Sequence, residues 1–366
     1  MIFNIKINEG VFENFSEASL FRSIEMGCAE FKFLATNSKK QTFPFGKGAS
    51  CEVLIDKNKL LTGFINTVGG NYDAVTHNVF LIGRDKTQDL IDSSINGILD
   101  LKGKNNLIDV IKRILRMNNI TGIDVKSEFA IAPFGANEKV TSEPNENAFS
   151  FIEKLCRRRQ VLFTTNEDGD IVLTRAGSNR YSTILQSSVT SKENNLLSAS
   201  FQDSDQERYN TYLVFTQGNL LSGTNDDTVE IKKGSPAIDK NIRASRILRI
   251  NTELSNEIQT LGERAIWESN IRRVRAFQYN CRIRGYYLDR ANTILVKPNN
   301  IITVNDEMLG IKKDLLIKSC RYVKSIRNGS YTDLQLVNQD AYSLQASQDE
   351  VEAKFDKNNI FTGLSS

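Results

Sequence analysis

Histidine is almost absent from this chain: His77 is the only one, and it sits in THNVFLIG at the start of a strand-like run. No serine or cysteine with a nucleophile signature stands beside it, so catalysis through histidine is not expected. Cysteine is sparse too. Cys28, Cys51, Cys156, Cys281 and Cys320 are odd in number, widely spaced and without a CxxC pair. That pattern argues against a disulfide framework or a zinc site and predicts buried free thiols of a reducing compartment. No apolar run is long enough to cross a bilayer. The opening MIFNIKINEG alternates like a strand and lacks the apolar core of a leader. The excess of positive charge is also slight, +3 with a pI near 8.4, too little to imply a nucleic-acid or membrane partner.

What remains is an ordinary globular composition, 40% hydrophobic and 25% charged over 366 residues, a length that suggests two or three domains. The first part is rich in strands. CEVLIDKNKLLTGFINTVGGNYDAVTHNVFLIGRD reads as strand, turn at Lys57-Asn58-Lys59, strand, loop around Gly69-Gly70-Asn71, and strand. NNLIDVIKRILRMNN then places Leu107, Ile108, Ile111, Ile114 and Leu115 at helical spacing, with Asn105 or Asn106 as N-cap. A second helix is predicted over 147–159, with Ala148, Phe151, Ile152, Leu155 and Cys156 on one face. A hairpin follows it, turning at Asp168-Gly169. Strands return in LSASFQDSD, YNTYLVFTQG and SRILRI. A long helix is predicted over 252–275, capped by Thr252, with Leu254, Ile258, Leu261, Ala265, Ile271 and Val274 as its stripe. FQYNCRIRGY, NIITVND and DLLIKSCRYVKSIRNGSYTDLQLVN complete the pattern. Residues from Ala346 onward are polar and aperiodic, and are expected to be loosely held or to order against a partner.

One internal echo stands out. VLIDKNKLLTGFINTVGGNYDAVTHNVFLIGRD and ITVNDEMLGIKKDLLIKSCRYVKSIRNGSYTDLQLVNQD share an order of parts: short strand, turn, long strand, hairpin and final strand. The fold class predicted is mainly β with an α+β insertion. One β-barrel would occupy 1–94, the α+β unit 95–180, a second barrel carrying the long helix 181–345, and a tail 346–366.

Candidate sites are few. NEDGD resembles part of a calcium loop. With Asn166 and Asp168 at ligand positions three and five, however, the twelfth position falls on Arg175, where an acidic residue is required. PFGKGAS lacks the spacing of a phosphate-binding loop. The pairs Glu143/Glu146 and Asp226/Asp227 lie in polar loops, without apolar flanks to raise one carboxyl's pKa. Arg157, Arg158 and Arg159 end a helix, where cations complement the dipole. Pointing in three directions and lacking an aromatic platform, they suit helix termination better than a phosphate path, with a protein interface as the other reading. In YNCRIR, alternation puts Arg282 and Arg284 on one strand face, either solvated or set to meet acidic groups of a neighbouring subunit. No catalytic, cofactor or metal residues are assigned.

In order, GRDKTQDLIDSS after the TGFINTV strand, NAFSFIEKLCRRRQVLFTTNEDGDIVLTRAG, and LLIKSCRYVKSIRNGSYTDLQLVNQDAY resemble the baseplate central hub proteins of Mu-like contractile phages. That family is related to late-control tail proteins and to the hub part of type VI secretion spikes. The resemblance spans residues 1 to 345 or so. It implies tail-tube-like barrels, two per chain, in a homotrimeric ring that adapts a sixfold tail tube to a threefold central spike. DNA would pass through the channel in transit. The implied partners are the spike, the tube and other baseplate proteins, with no cofactor, no catalytic residues and no membrane insertion. The implied location is the virion tail baseplate, assembled in the host cytoplasm. A tail-associated peptidoglycan hydrolase working through loop carboxylates is the alternative from another class, and a nucleic-acid-binding module is a third.

Overall fold

The computed structural model describes residues 2–8, 10–13, 15–36, 46–74, 77–101, 105–135, 140–159, 161–177, 179–190, 193–217, 231–251 and 261–339. The N-terminal strands are β1 (Phe3–Ile7), β2 (Gly10–Phe12), β3 (Glu17–Ser23), β4 (Glu30–Thr36), β5 (Ser50–Ile55), β6 (Asn58–Tyr72) and β7 (His77–Asp85). The β5–β6 turn is one residue tighter than expected: Ile55 pairs with Asn58, and Asp56 takes the positive φ of 54°. Gly69-Gly70-Asn71, expected as a loop, lies inside the 15-residue β6. A Cβ on Gly69 would run into the Phe80 ring of β7. These glycines therefore mark a close approach within the sheet rather than a turn.

The middle of the chain is α1 (Gln88–Asp92), β8 (Asp100–Leu101), α2 (Leu107–Met117), β9 (Val125–Ser127), β10 (Val140–Thr141), α3 (Ala148–Arg159), β11 (Leu162–Thr165) and β12 (Ile171–Thr174). Helices α2 and α3 start on asparagine side chains that accept from the first turn. Asn106 Oδ1 accepts from Asp109 N at 3.1 Å, and Asn147 Oδ1 from Ser150 N at 2.9 Å. The predicted apolar faces converge on a core of their own: Leu107, Ile111, Ile114 and Leu115 of α2 with Ala148, Phe151, Ile152, Leu155 and Cys156 of α3.

Then come β13 (Asn179–Ser187), β14 (Leu196–Asp203), β15 (Thr211–Gln217), β16 (Ile231–Lys233), β17 (Ala237–Ile238), β18 (Ile247–Asn251), α4 (Leu261–Ala276), β19 (Phe277–Arg284), β20 (Asn300–Asp306), β21 (Ile311–Ser325) and β22 (Gly329–Asn338). Strands β15 to β18 form a separate four-stranded sheet. It packs Tyr212, Val214 and Ala237 against Ala265 of α4. The predicted cap Thr252 and the stripe residues Leu254 and Ile258 lie outside the described residues, as do Asp226/Asp227 and the tail 346–366.

The strand-rich class is as expected, and among the described residues no closed barrel is present. Thirteen strands share one sheet, whose main path runs β14-β19-β22-β21-β3-β4-β7-β6-β5-β1-β2 and, among the described residues, does not close. The cause is the length of β21. Its first half pairs with β20, and its second half, from Ser319 to Ser325, pairs with β3. The terminal parts of the chain are thereby stitched edge to edge. They also share one hydrophobic core, in which Phe3, Leu20, Phe33 and Leu81 belong to the same cluster as Tyr279, Tyr286, Tyr322 and Leu336. Phe3 meets both Phe33 and Tyr286 edge-on, at centroid distances of 5.5 and 5.9 Å.

Candidate assembly surface

Alternation along a strand sends every second side chain away from the core. On β19, Phe277, Tyr279, Cys281 and Ile283 are buried, so Arg282 and Arg284 fall on the opposite face, as their spacing predicts. The pairing registers then place Arg282 in a row that crosses the whole join: Arg282 beside Asp333, Asp333 beside Arg321, Arg321 beside Phe21, Phe21 beside Glu30, and Glu30 beside Arg84. Charges of opposite sign alternate across this row, interrupted by one aromatic ring. Opposite charges placed directly across a ladder favour the register that brings them together.

Arg282 is engaged inside the chain. Its Nε donates to Asp333 Oδ1 at 2.6 Å and its guanidinium stacks over the Tyr331 ring at 3.9 Å. The hydrogen bond to Asp333 holds Arg282 above its usual range. Arg321 covers Phe21 at 4.7 Å. Arg284 is exposed, and among the described residues no ion pair is recorded for it. Arg282 thus has an acidic partner on β22 of its own chain, whereas Arg284 presents its charge outward.

The α+β unit is docked on this sheet through its β11–β12 turn. Asn166 N donates to Asp170 O at 3.0 Å, and Gly169 takes φ +75°. The turn is the hairpin expected from NEDGD. Glu167 reaches Lys297 at 2.6 Å and Arg22 at 3.9 Å, and Asp168 pairs with Lys59. Burial pushes the Glu167 carboxyl up, but Lys297 and Arg22 outweigh it and hold it below its ordinary value. Beneath the turn, buried Asp85 accepts from Ala29 N at 2.8 Å, Thr165 Oγ1 at 2.8 Å and Thr87 N at 3.0 Å. That one carboxylate, at the end of β7, ties the residue before β4, β11 and the start of α1 together.

The other candidates from the sequence have local roles. Arg157 pairs with Glu153 one turn back, and Arg159 covers the Phe134 ring at 4.2 Å. The side chain of Arg158 lies outside the described residues. His77 opens β7 opposite Tyr72. The five cysteines are buried and unpaired, and burial lifts the thiols of Cys51 and Cys156 to about 12.

The two sets of terminal strands also repeat one another in detail. β5, β6 and β7 have the order of β20, β21 and β22, and each long strand carries 15 residues. A bulge interrupts the β6–β7 ladder at Asn66 and the β21–β22 ladder at Lys318, at matching points. Beyond the last strand of each set come β4 and then β3 in one, β19 and then β14 in the other, all antiparallel.

Known proteins share this arrangement. Residues 3–85 match the family of Mu phage baseplate assembly protein GpP-like N-terminal domains. Residues 87–175 match the second domain of gp44-like baseplate hub proteins, and 258–345 the fourth domain of the Mu phage baseplate assembly protein GpP. The chain is 24% identical over 355 residues to baseplate hub protein gp44 of Escherichia phage Mu, covering 94% of this chain and 89% of that protein. The crystal structure of the 43 kDa tail protein of prophage MuSo2 from Shewanella oneidensis superposes with a TM-score of 0.77 at 22% identity, over 93% of this chain and 99% of that one. The tail protein of Neisseria meningitidis MC58 gives 0.77 at 20% identity, over 93% and 97%. Three domain families of one phage structure matched in order, and a relative aligned across nearly the full length, make this chain a member of the Mu-like baseplate hub family.

Proposed function

We propose that this chain is the central hub of a contractile tail baseplate, a homotrimer that joins a sixfold tail tube to a threefold spike and leaves an axial passage for DNA. The observation that carries this reading is the internal duplication. Two strand sets with the same order and the same bulge stand side by side in one chain, so three chains would present six similar units around an axis. A ring of that kind offers sixfold-like contacts to a tube and threefold contacts to a spike. In this role the chain works by geometry rather than by bond making. Its parts fit the role, with two similar β halves in one continuous sheet and an α+β unit locked to it by Glu167 and Asp168. Its place would be the virion tail, its partners the spike, the tube and neighbouring baseplate proteins.

The test is the solution mass of the purified full chain by light scattering, followed by class averages in the electron microscope. A mass of three chains and rings with threefold symmetry are expected. A stable monomer at micromolar concentration, with no ring on a purified spike protein, would overturn the reading.

A further inference from the structure

The duplication leaves one join unmatched. Within the chain, the first strand set meets the second through β3 against the second half of β21, pairing Ala18 with Lys324, Leu20 with Tyr322 and Arg22 with Cys320. The counterpart of β3 is β14, reached by the same steps through β19, β22 and β21. The counterpart of the second half of β21 is the second half of β6, fixed by the shared bulge. Among the described residues both of these edges lack a strand partner. β14 ends the sheet, and β6 pairs with β5 only up to Phe64.

We propose that two copies of this chain join head to tail by strand addition. β14 of one copy runs antiparallel along the second half of β6 of the next, with Ala199 opposite Tyr72, Phe201 opposite Gly70 and Asp203 opposite Val68. This register follows from transferring the β3–β21 pairing through the two ladders. The side chains fit the transfer. Leu20, opposite Tyr322 of β21, is 0% exposed, whereas its counterpart Phe201 is 45% exposed. Tyr72, on the edge that would receive it, is 84% exposed. Pairing sets the Phe201 ring over Gly70, where no Cβ obstructs it, and brings Tyr72 alongside on the same face. The opposite face of the new ladder would be polar, with Ser200 and Gln202 against Asn71 and Gly69. Two bare edges of one chain, complementary to each other and not to themselves, make a heterologous contact, which closes into a ring when the rotation allows. The join deepens the trimeric-ring reading, on which its closure rests, by naming the strands that make it.

Disulfide trapping in the full chain tests it, because the five native thiols are buried. Two double variants, Ala199→Cys with Tyr72→Cys and Ser200→Cys with Asn71→Cys, sample both kinds of cross-strand pair. Ala199→Cys with Thr67→Cys is the off-register control, its thiols displaced by about 16 Å along the strand. Mild oxidation should convert one or both in-register variants to covalent multimers that stop at a closed trimer, and leave the control monomeric on a denaturing gel. A ladder continuing past three chains would support the strand pairing and overturn the ring. A trimer by light scattering with no in-register cross-link would overturn the pairing and leave the ring standing. A chain monomeric by both measurements would overturn both.

Discussion

Leu20 and Phe201 occupy corresponding positions in two halves built on one strand plan, yet the first is sealed and the second is half open to solvent. Their strands differ in what lies beyond them: β3 has β21 on its outer side, β14 has nothing among the described residues. Burial at such a position is set by the neighbouring strand more than by the residue itself. A half-exposed aromatic at the end of an open ladder is therefore a statement about a missing neighbour. The largest effect expected follows from this contrast. Leu20→Ala removes a side chain closed in on all sides and should cost about 2–5 kcal/mol. Phe201→Ala in the dilute monomeric chain should cost no more than about 1 kcal/mol. Chemical denaturation of both variants measures the difference. Equal costs would mean that the two halves are not distinguished by their edges.

A second contrast lies deeper in the same halves. Phe31 of β4 faces Gly83 of β7, and Tyr279 of β19 faces Leu336 of β22 at the matching point. Glycine is required at the first position, since a Cβ there would collide with the Phe31 ring and the Phe64 carbonyl. At the second, Leu336 is fully buried in the shared core. Alanine should destabilise both by about 2–4 kcal/mol for opposite reasons, overpacking at Gly83 and a cavity at Leu336. Pairing Gly83→Ala with Phe31→Leu should recover part of the loss, while no trimming around Leu336→Ala should. Thermal melts of the single and double variants decide it.

How much of this was legible in the sequence depends on distance along the chain. Helices α2 and α3, the NEDGD hairpin and the order of the terminal strands were readable because periodicity and turn residues act over a few positions. The repeat was readable for the same reason. The join of β3 to β21 was not, because pairing between Arg22 and Cys320 leaves no local mark at either end. Gly69-Gly70 misled because glycine signals a turn and a close approach alike, and only the Phe80 ring across the ladder tells which. Arg282 and Arg284 were placed on the correct face by alternation, but that Asp333 already answers Arg282 depends on a partner strand the pattern could not name.

The α+β unit gives a third comparison, between a join made by strand pairing and one fastened by charge. Glu167 is held below its ordinary carboxylate value of 4.5 despite burial, chiefly through Lys297 and Arg22. A carboxyl lowered in the folded state contributes stability above its unfolded value and loses it as pH falls through the folded one. The unit should therefore loosen from the sheet only below about pH 4.5. Hydrogen exchange of β11 and β12 against pH reads this directly. In Glu167→Gln that acid-dependent step should shrink, at the expense of weaker docking at neutral pH.

The smallest effect sharpens the comparison between the two arginines of β19. Arg282 is bound to Asp333 and lies on Tyr331, but both charged side chains remain more than a third exposed. A surface pair of that kind contributes on the order of 0.5 kcal/mol, and solvent screens much of it. Arg282→Ala should therefore shift the unfolding midpoint slightly, and a double-mutant cycle with Asp333→Ala should return a coupling of that size that fades with added salt. Arg284→Ala should leave the stability of the chain unchanged. If Arg284→Ala weakens assembly and Arg282→Ala does not, the outward charge belongs to a subunit contact and the paired one to the sheet. Equal effects on assembly would place both arginines in the same contact, with Asp333 shared between the chain and its neighbour.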